Sequence, residues 1–150
     1  MIDYTLLNKQ LEALLSGETN RTGMLANAAA LLKEASGWFW VGFYLVEGDK
    51  LLLGPFQGSP ACYRIGYGKG VCGSAWKEGR SLVVPDVEAF PGHIACSSLS
   101  RSEIVVPIVA GGTIVGVLDI DSTDTDTFTE TDRIGLEAFC AILSAAVFGR

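Results

Sequence analysis

Apolar residues recur at helical spacing through the start of the chain and then change period. Tyr4, Leu7, Leu11, Leu14 and Leu15 keep a three-to-four-residue rhythm that Gly17 breaks. From about Arg21, Met24, Leu25, Ala28, Leu31, Leu32 and Ala35 gather on one face of a second helix ending near Gly37. Residues 38–46 are aromatic and β-rich, 47–49 form a turn, and 51–56 supply the partner strand. A short strand is expected at 61–65, a short helix at 71–78 after Gly68 and Gly70, and a strand at 82–84. Residues 86–101 have no clean period and contain Pro91-Gly92, so they read as a long loop, a feature compact domains keep mostly for function. Strands 103–109 and 113–121 flank Ala110-Gly111-Gly112 as a β-hairpin. Thr129 and Asp132 have capping-box spacing ahead of a closing helix at 134–148.

Strands joined by short turns pair antiparallel, and helices set apart from them give an α+β fold. The simplest packing covers one apolar sheet face with the terminal helices. The chain has 150 residues, enough for one domain (1–150) with a real core, and 49% of them are hydrophobic. Asp and Glu outnumber Lys and Arg by 17 to 11, a net charge of −6 that argues against nucleic acid and against a basic membrane-surface helix. No run approaches the roughly 18 apolar residues of a membrane span, and the first fifteen residues lack the plan of a signal peptide. The expected location is the cytoplasm.

The four cysteines are Cys62, Cys72, Cys96 and Cys140. A disulfide framework fits secretion, which nothing here marks, and zinc sites use close ligand pairs that this spacing lacks, so no metal is expected. Cys62, Cys72 and Cys96 occupy turn-like settings where a thiol can be reached and activated, although free cysteines are often simply buried. Cys140, in Ala-Phe-Cys-Ala on the closing helix, reads as a small core hydrophobe. His93 stands three residues before Cys96, where an imidazolium would favour a thiolate, though a lone loop histidine is often only solvated.

Three carboxylates sit beside apolar strands. Asp119 and Asp121 share one side of the second hairpin strand, with Leu118 and Ile120 opposite. Counting from a turn at Gly111-Gly112 pairs 104 with 119 and 102 with 121, which leaves Glu103 on the other face unless a bulge intervenes. Along the first strand, Trp38, Trp40, Gly42 and Tyr44 alternate with Phe39, Val41 and Phe43; the Trp and Tyr side is a candidate pocket wall.

These residues resemble a known family. Trp40-Val-Gly-Phe-Tyr44, Gly54-Pro-Phe-Gln-Gly58, Ala61-Cys62, Gly70-Val-Cys-Gly73, Gly92-His-Ile-Ala-Cys96, Ser102-Glu-Ile-Val105 and Gly116-Val-Leu-Asp-Ile-Asp-Ser122 are similar to the free methionine-(R)-sulfoxide reductases. These are single-domain GAF-fold enzymes, and the similarity runs from about Tyr4 to the last helix. It implies a GAF-like central antiparallel sheet with packed helices. It implies Cys96 as nucleophile, Cys62 as resolving cysteine and Cys72 as a third cysteine of less settled role. Glu103, Asp119 and Asp121 match the substrate-binding and activating acids, and Trp40 and Tyr44 the aromatics around the substrate methyl group.

The implied chemistry suits these residue types. A protonated acid activates the sulfoxide oxygen, a thiolate attacks sulfur, and a sulfenic acid condenses with a second thiol to a disulfide. An external dithiol such as thioredoxin then reduces it, with no bound cofactor. An acidic cluster also selects the ammonium of the free amino acid, and backbone N–H groups of the 92–100 loop are candidates for its carboxylate. A homodimer is left open. Two non-catalytic alternatives keep the fold: a GAF-type small-molecule sensor and a thiol redox switch.

Overall fold

Helical spacing gives way to alternation just after Gly37, and the structure changes layer at that point. The computed structural model describes residues 1–94 and 96–149. Helix α1 (Tyr4–Leu15) starts where the Asp3 carboxylate accepts from the Leu6 N–H, and α2 (Arg21–Ser36) where the Asn20 side chain accepts from Gly23. Gly37 ends α2 with φ at 70°, a left-handed turn that favours glycine. Strands β1 (Trp40–Glu47) and β2 (Lys50–Gln57) form the first hairpin, followed by β3 (Arg64–Gly66), α3 (Gly70–Glu78) and β4 (Leu82–Val84). Strands β5 (Ser102–Ala110) and β6 (Thr113–Ser122) form the second hairpin, and α4 (Glu130–Leu143) closes the chain. All neighbours in the sheet order β3-β2-β1-β6-β5-β4 pair antiparallel. The α+β architecture expected from the sequence is the one observed.

Several boundaries move for local reasons. The strand expected at 61–65 covers only Arg64–Gly66, because residues just after β2 turn aside to meet Trp40, whose indole N–H donates to the Ser59 carbonyl at 2.9 Å. Cys62 therefore lies outside the strand. The 86–101 loop contains one 3-10 turn, Val87–Ala89, capped by the Asp86 carboxylate. Helix α4 begins at Glu130, directly after its N-cap Thr129 and with Asp132 of the capping box in its first turn, rather than at 134. Its last turn widens to a π-helical turn at Ser144–Phe148, where the Ser144 hydroxyl donates to the Val109 carbonyl.

The sheet carries a core on each face. On one, α1, α2 and α4 bury Leu11, Leu25, Leu32 and Phe139 against Val41, Phe43, Ile104, Leu118 and Ile120. Each such side chain contributes roughly 1.5–3 kcal/mol by leaving water. Cys140 is buried in this layer, as expected. Tyr4 links α1 to α4 through a 2.7 Å hydrogen bond from its hydroxyl to Asp132. On the other face, Trp40, Tyr44, Val105 and Val117 pack with Val71, Cys72 and Ala75 of α3. Trp38 departs from the expected alternation: it precedes β1 and packs edge-on against Phe128 on the helical side, while Phe39 joins the opposite layer.

Candidate active site

Strand register brings the three acids together. The β5–β6 ladder runs Ala110↔Thr113 and Val109↔Ile114, then jumps to Ile108↔Gly116. Val115 is the extra residue of this β-bulge, and beyond it every pairing shifts by one. Glu103 consequently pairs with Asp121 instead of lying opposite Ile120, and Val105 pairs with Asp119. On the other side of β6, Trp40 pairs with Asp121 and Gly42 with Asp119. Glu103, Asp121 and Trp40 thus form one row across three strands, with Asp119 in the next row.

The aromatic wall is built from β1. Trp40 stacks on Phe56 at 5.2 Å and on Tyr44 at 6.1 Å between ring centroids. Gly42 lies under this stack, where a Cβ would collide with Phe56 and the Trp40 indole. The Tyr44 hydroxyl donates to the Cys62 carbonyl at 2.9 Å, which ties the strand to the segment carrying that cysteine.

Helix α3 forms the facing wall. Gly73 lets it press onto the 66–68 turn, since a Cβ there would strike the Gly66 carbonyl oxygen. Cys72, in the first turn, is buried, and its Sγ and one carboxylate oxygen each of Glu103 and Asp119 lie within 4.8 Å of one another. Among the described residues these three are the group with metal-type donors at such spacing. Lys69 gives α3 no side-chain cap, so the N–H groups of its first turn are left for other partners at a wall that Lys69, Gly70 and Val71 line.

The cleft between these walls is lined by Trp40, Tyr44, Cys72, His93, Cys96, Glu103, Asp119 and Asp121. Cys96, exposed in the 86–101 loop, is joined to Cys62 by a disulfide with Cα atoms 5.6 Å apart. Of the eight residues singled out from the sequence, seven line the cleft and the eighth, Cys62, is bonded to one of them. His93 reaches the same place: its Nε2 lies 3.8 Å from Glu103 Oε1, with both side chains largely buried. The contributions of Phe39, Phe56, Ser59 and Lys69 were not foreseen; the only signal for the Ser59 contact is the turn sequence Gly58-Ser-Pro60 ahead of Cys62. Three N–H groups of the 92–100 segment are already engaged: His93 donates to Phe90, Cys96 to Ile94 and Leu99 to the Ser97 hydroxyl. Ala95 lies outside the described residues.

Burial governs the electrostatics. It pushes Glu103 well above the usual carboxylate range, and the neighbouring Asp119 and Asp121 push it further. Asp121 is raised by burial and then by Asp119. Asp119 is raised by burial against the opposing effects of Glu103, Cys72 and His93. Its Oδ1 is buried with no hydrogen-bond partner among the described residues. The Cys72 thiol is pushed well up by burial and by the surrounding carboxylates. Cys72 is therefore a poor candidate for a standing thiolate.

Comparison with known proteins places this arrangement. Residues 11–147 match the GAF domain family. GAF domain-containing protein A of Dictyostelium discoideum is 57% identical over 131 residues, 87% of this chain and 83% of that protein. The free methionine-R-sulfoxide reductase of Escherichia coli (strain K12) is 50% identical over 141 residues, 93% of this chain and 86% of that protein. The chain belongs to the free methionine-(R)-sulfoxide reductase family. The structure of the Neisseria meningitidis free methionine-R-sulfoxide reductase in complex with its substrate superimposes with a TM-score of 0.93, at 54% identity over 95% of this chain and 87% of that one. The family's GAF fold agrees with the six-stranded antiparallel sheet and four helices described above. No helix among the described residues is long and apolar enough to cross a membrane.

Proposed function

We propose that this protein is a single-domain L-methionine (R)-S-oxide reductase. It reduces free methionine-(R)-sulfoxide to methionine with Cys96 as nucleophile, Cys62 as resolving cysteine and an external dithiol, thioredoxin, as reductant. The observation that carries this reading is the Cys62–Cys96 disulfide at the edge of a cleft holding three converging acids. Glu103, raised by burial and by both aspartates, is the proton donor to the sulfoxide oxygen. The Cys96 thiolate attacks the sulfoxide sulfur. The protonated oxygen then passes to the Cys96 sulfur as the substrate's sulfur–oxygen bond and the transient sulfur–sulfur bond break, so methionine leaves and Cys96 is a sulfenic acid. The Cys62 thiol displaces water from that sulfur, forming the disulfide. Two thiols and one sulfoxide become one disulfide, one thioether and one water.

The orphaned Asp119 Oδ1 and its neighbour Asp121 suit the substrate ammonium, which peptide-bound methionine sulfoxide lacks. Trp40 and Tyr44 give the methyl group an apolar wall. Donors for the substrate carboxylate are available at the uncapped first turn of α3, which serves better than the partly engaged 92–100 segment. Cys72, buried and pushed toward its protonated form among the acids, supports the cradle as a hydrogen-bond donor rather than as the attacking thiolate. No bound cofactor is required, since all the electrons come from thiols. A disulfide that must be opened in each cycle fits a reducing compartment, the cytoplasm.

Replacing Cys62 with serine separates the two halves of the cycle. The variant is expected to release one methionine per protein in a single turnover at close to the wild-type rate. It should then lose thioredoxin-supported turnover by about a hundredfold or more, because the one thiol left in the cleft, Cys72, is buried and held in its protonated form, a poor partner for the sulfenic acid. Rapid-quench detection of methionine checks the first statement and steady-state assay the second. Wild-type recycling by the variant would take the resolving role from Cys62.

A further inference from the structure

Exposed apolar side chains flank the Cys62–Cys96 bond. Tyr63, next to Cys62, is 77% exposed; Ile94 and Leu99, flanking Cys96, are 40% and 60% exposed. The two cysteine Cα atoms are 5.6 Å apart. At roughly 3.8 Å per residue, Tyr63 lies within about 4 Å of its cysteine's Cα, Ile94 within about 8 Å and Leu99 within about 11 Å, so all three flank the disulfide along the two segments it joins. Large exposed apolar side chains grouped at one place mark contact surfaces more often than scattered ones do.

Charge sets the same patch apart. The chain carries a net charge of −6. Yet residues 58–70, which present Cys62, contain Arg64 and Lys69 and no acid, and residues 89–102, which present Cys96, contain His93 and Arg101 and no acid. Neither segment carries an acid of its own. The nearest carboxylates are the buried cleft acids, with Glu103 3.8 Å from His93, and Glu88, which pairs with Arg101 at 3.7 Å and so takes Arg101 out of the free basic charge. The face so formed is apolar at its centre and basic at its rim, and it complements a partner with an apolar surface around its own thiols and acidic groups outside that.

We propose that Tyr63, Ile94 and Leu99, framed by Arg64 and Lys69, form the docking surface for the protein dithiol that reduces Cys62–Cys96. This rests on the reductase reading and specifies its partner contact. Cys96 is exposed and Cys62 is half-buried, with its carbonyl held by Tyr44, so attack falls on Cys96. The partner's thiolate bonds to the Cys96 sulfur, the Cys62–Cys96 bond breaks, and Cys62 departs as a thiolate that takes up a proton. The partner's second thiol then attacks its own mixed-disulfide sulfur and releases Cys96. Two electrons have moved from the partner, which ends oxidised, to the two cysteines.

The test compares two reductants on the full-length enzyme: thioredoxin with its reductase, and dithiothreitol, which needs no docking. Leu99→Glu and Tyr63→Glu should each raise KM for thioredoxin at least tenfold, while dithiothreitol-supported turnover stays within about twofold of wild type. Arg64→Glu should do the same, and rising salt should weaken the wild-type thioredoxin reaction but not the dithiothreitol one. Leu99→Ser serves as a milder variant should the glutamate disturb the loop. Unchanged KM for thioredoxin in these variants overturns the docking surface. Wild-type enzyme that turns over with dithiothreitol but not with thioredoxin overturns the choice of partner, whereas failure with both strikes at the reductase reading itself.

Discussion

Serine at position 96 abolishes methionine release, by at least about a thousandfold in a single turnover against reduced wild type. The size follows from what is removed. Attack on a sulfoxide sulfur needs a polarizable anionic nucleophile, and a serine hydroxyl neither ionises near neutral pH nor forms the sulfenic acid through which oxygen leaves. The remaining thiols do not substitute. Cys62 is the partner of the bond rather than its cleft-side member, Cys72 is held protonated by burial and carboxylates, and Cys140 lies in the helical layer on the far face of the sheet. Because Cys96 is exposed on a loop, the change leaves the core untouched, and circular dichroism should match the reduced wild type. Rapid quench with (R)-sulfoxide reads the outcome. Release at the wild-type rate would transfer the nucleophile's role to another cysteine.

The second large effect is expected at Glu103. Glu103→Gln keeps the size and hydrogen-bonding reach of the side chain but cannot pass a proton, so kcat/KM should fall by about 10²–10⁴. The pH profile carries the sharper signature. Burial and two neighbouring aspartates hold the Glu103 carboxyl well above the ordinary range. Its proton is therefore held to higher pH than that of an ordinary carboxyl. As pH rises through the elevated value, the donating fraction falls tenfold for each unit, so wild-type kcat/KM should decline on the alkaline side. The glutamine variant should lose that limb and stay flat over the same range. A wild-type profile retained in full by Glu103→Gln would show that another group supplies the proton.

Much of this was legible in the residues, and the exceptions have definite causes. Both N-terminal helices, the two hairpins and the capping box of α4 follow from apolar periodicity and turn residues, signals that depend only on near neighbours. Alternation counted from the hairpin turn puts Glu103 on the other face unless a bulge intervenes, and the structure supplies that bulge. The extra residue at Val115, packed among apolar neighbours, leaves no mark in a pattern of hydrophobic positions. Trp38 fits the alternation of β1 on paper but precedes the strand, so its direction is set by packing against Phe128. The contact between His93 and Glu103 joins a loop to a strand through tertiary structure alone, and no local rule anticipates it. Periodicity isolated cysteines, acids and aromatics as candidates; family resemblance is what joined them into one cleft before the register did so.

The most direct measurement counts thiols after reduced protein meets each epimer of free methionine sulfoxide without added reductant. The account predicts that the R epimer removes two thiols per chain and yields one methionine, while the S epimer removes none. Equal thiol loss with both epimers, or none with the R epimer, would contradict it.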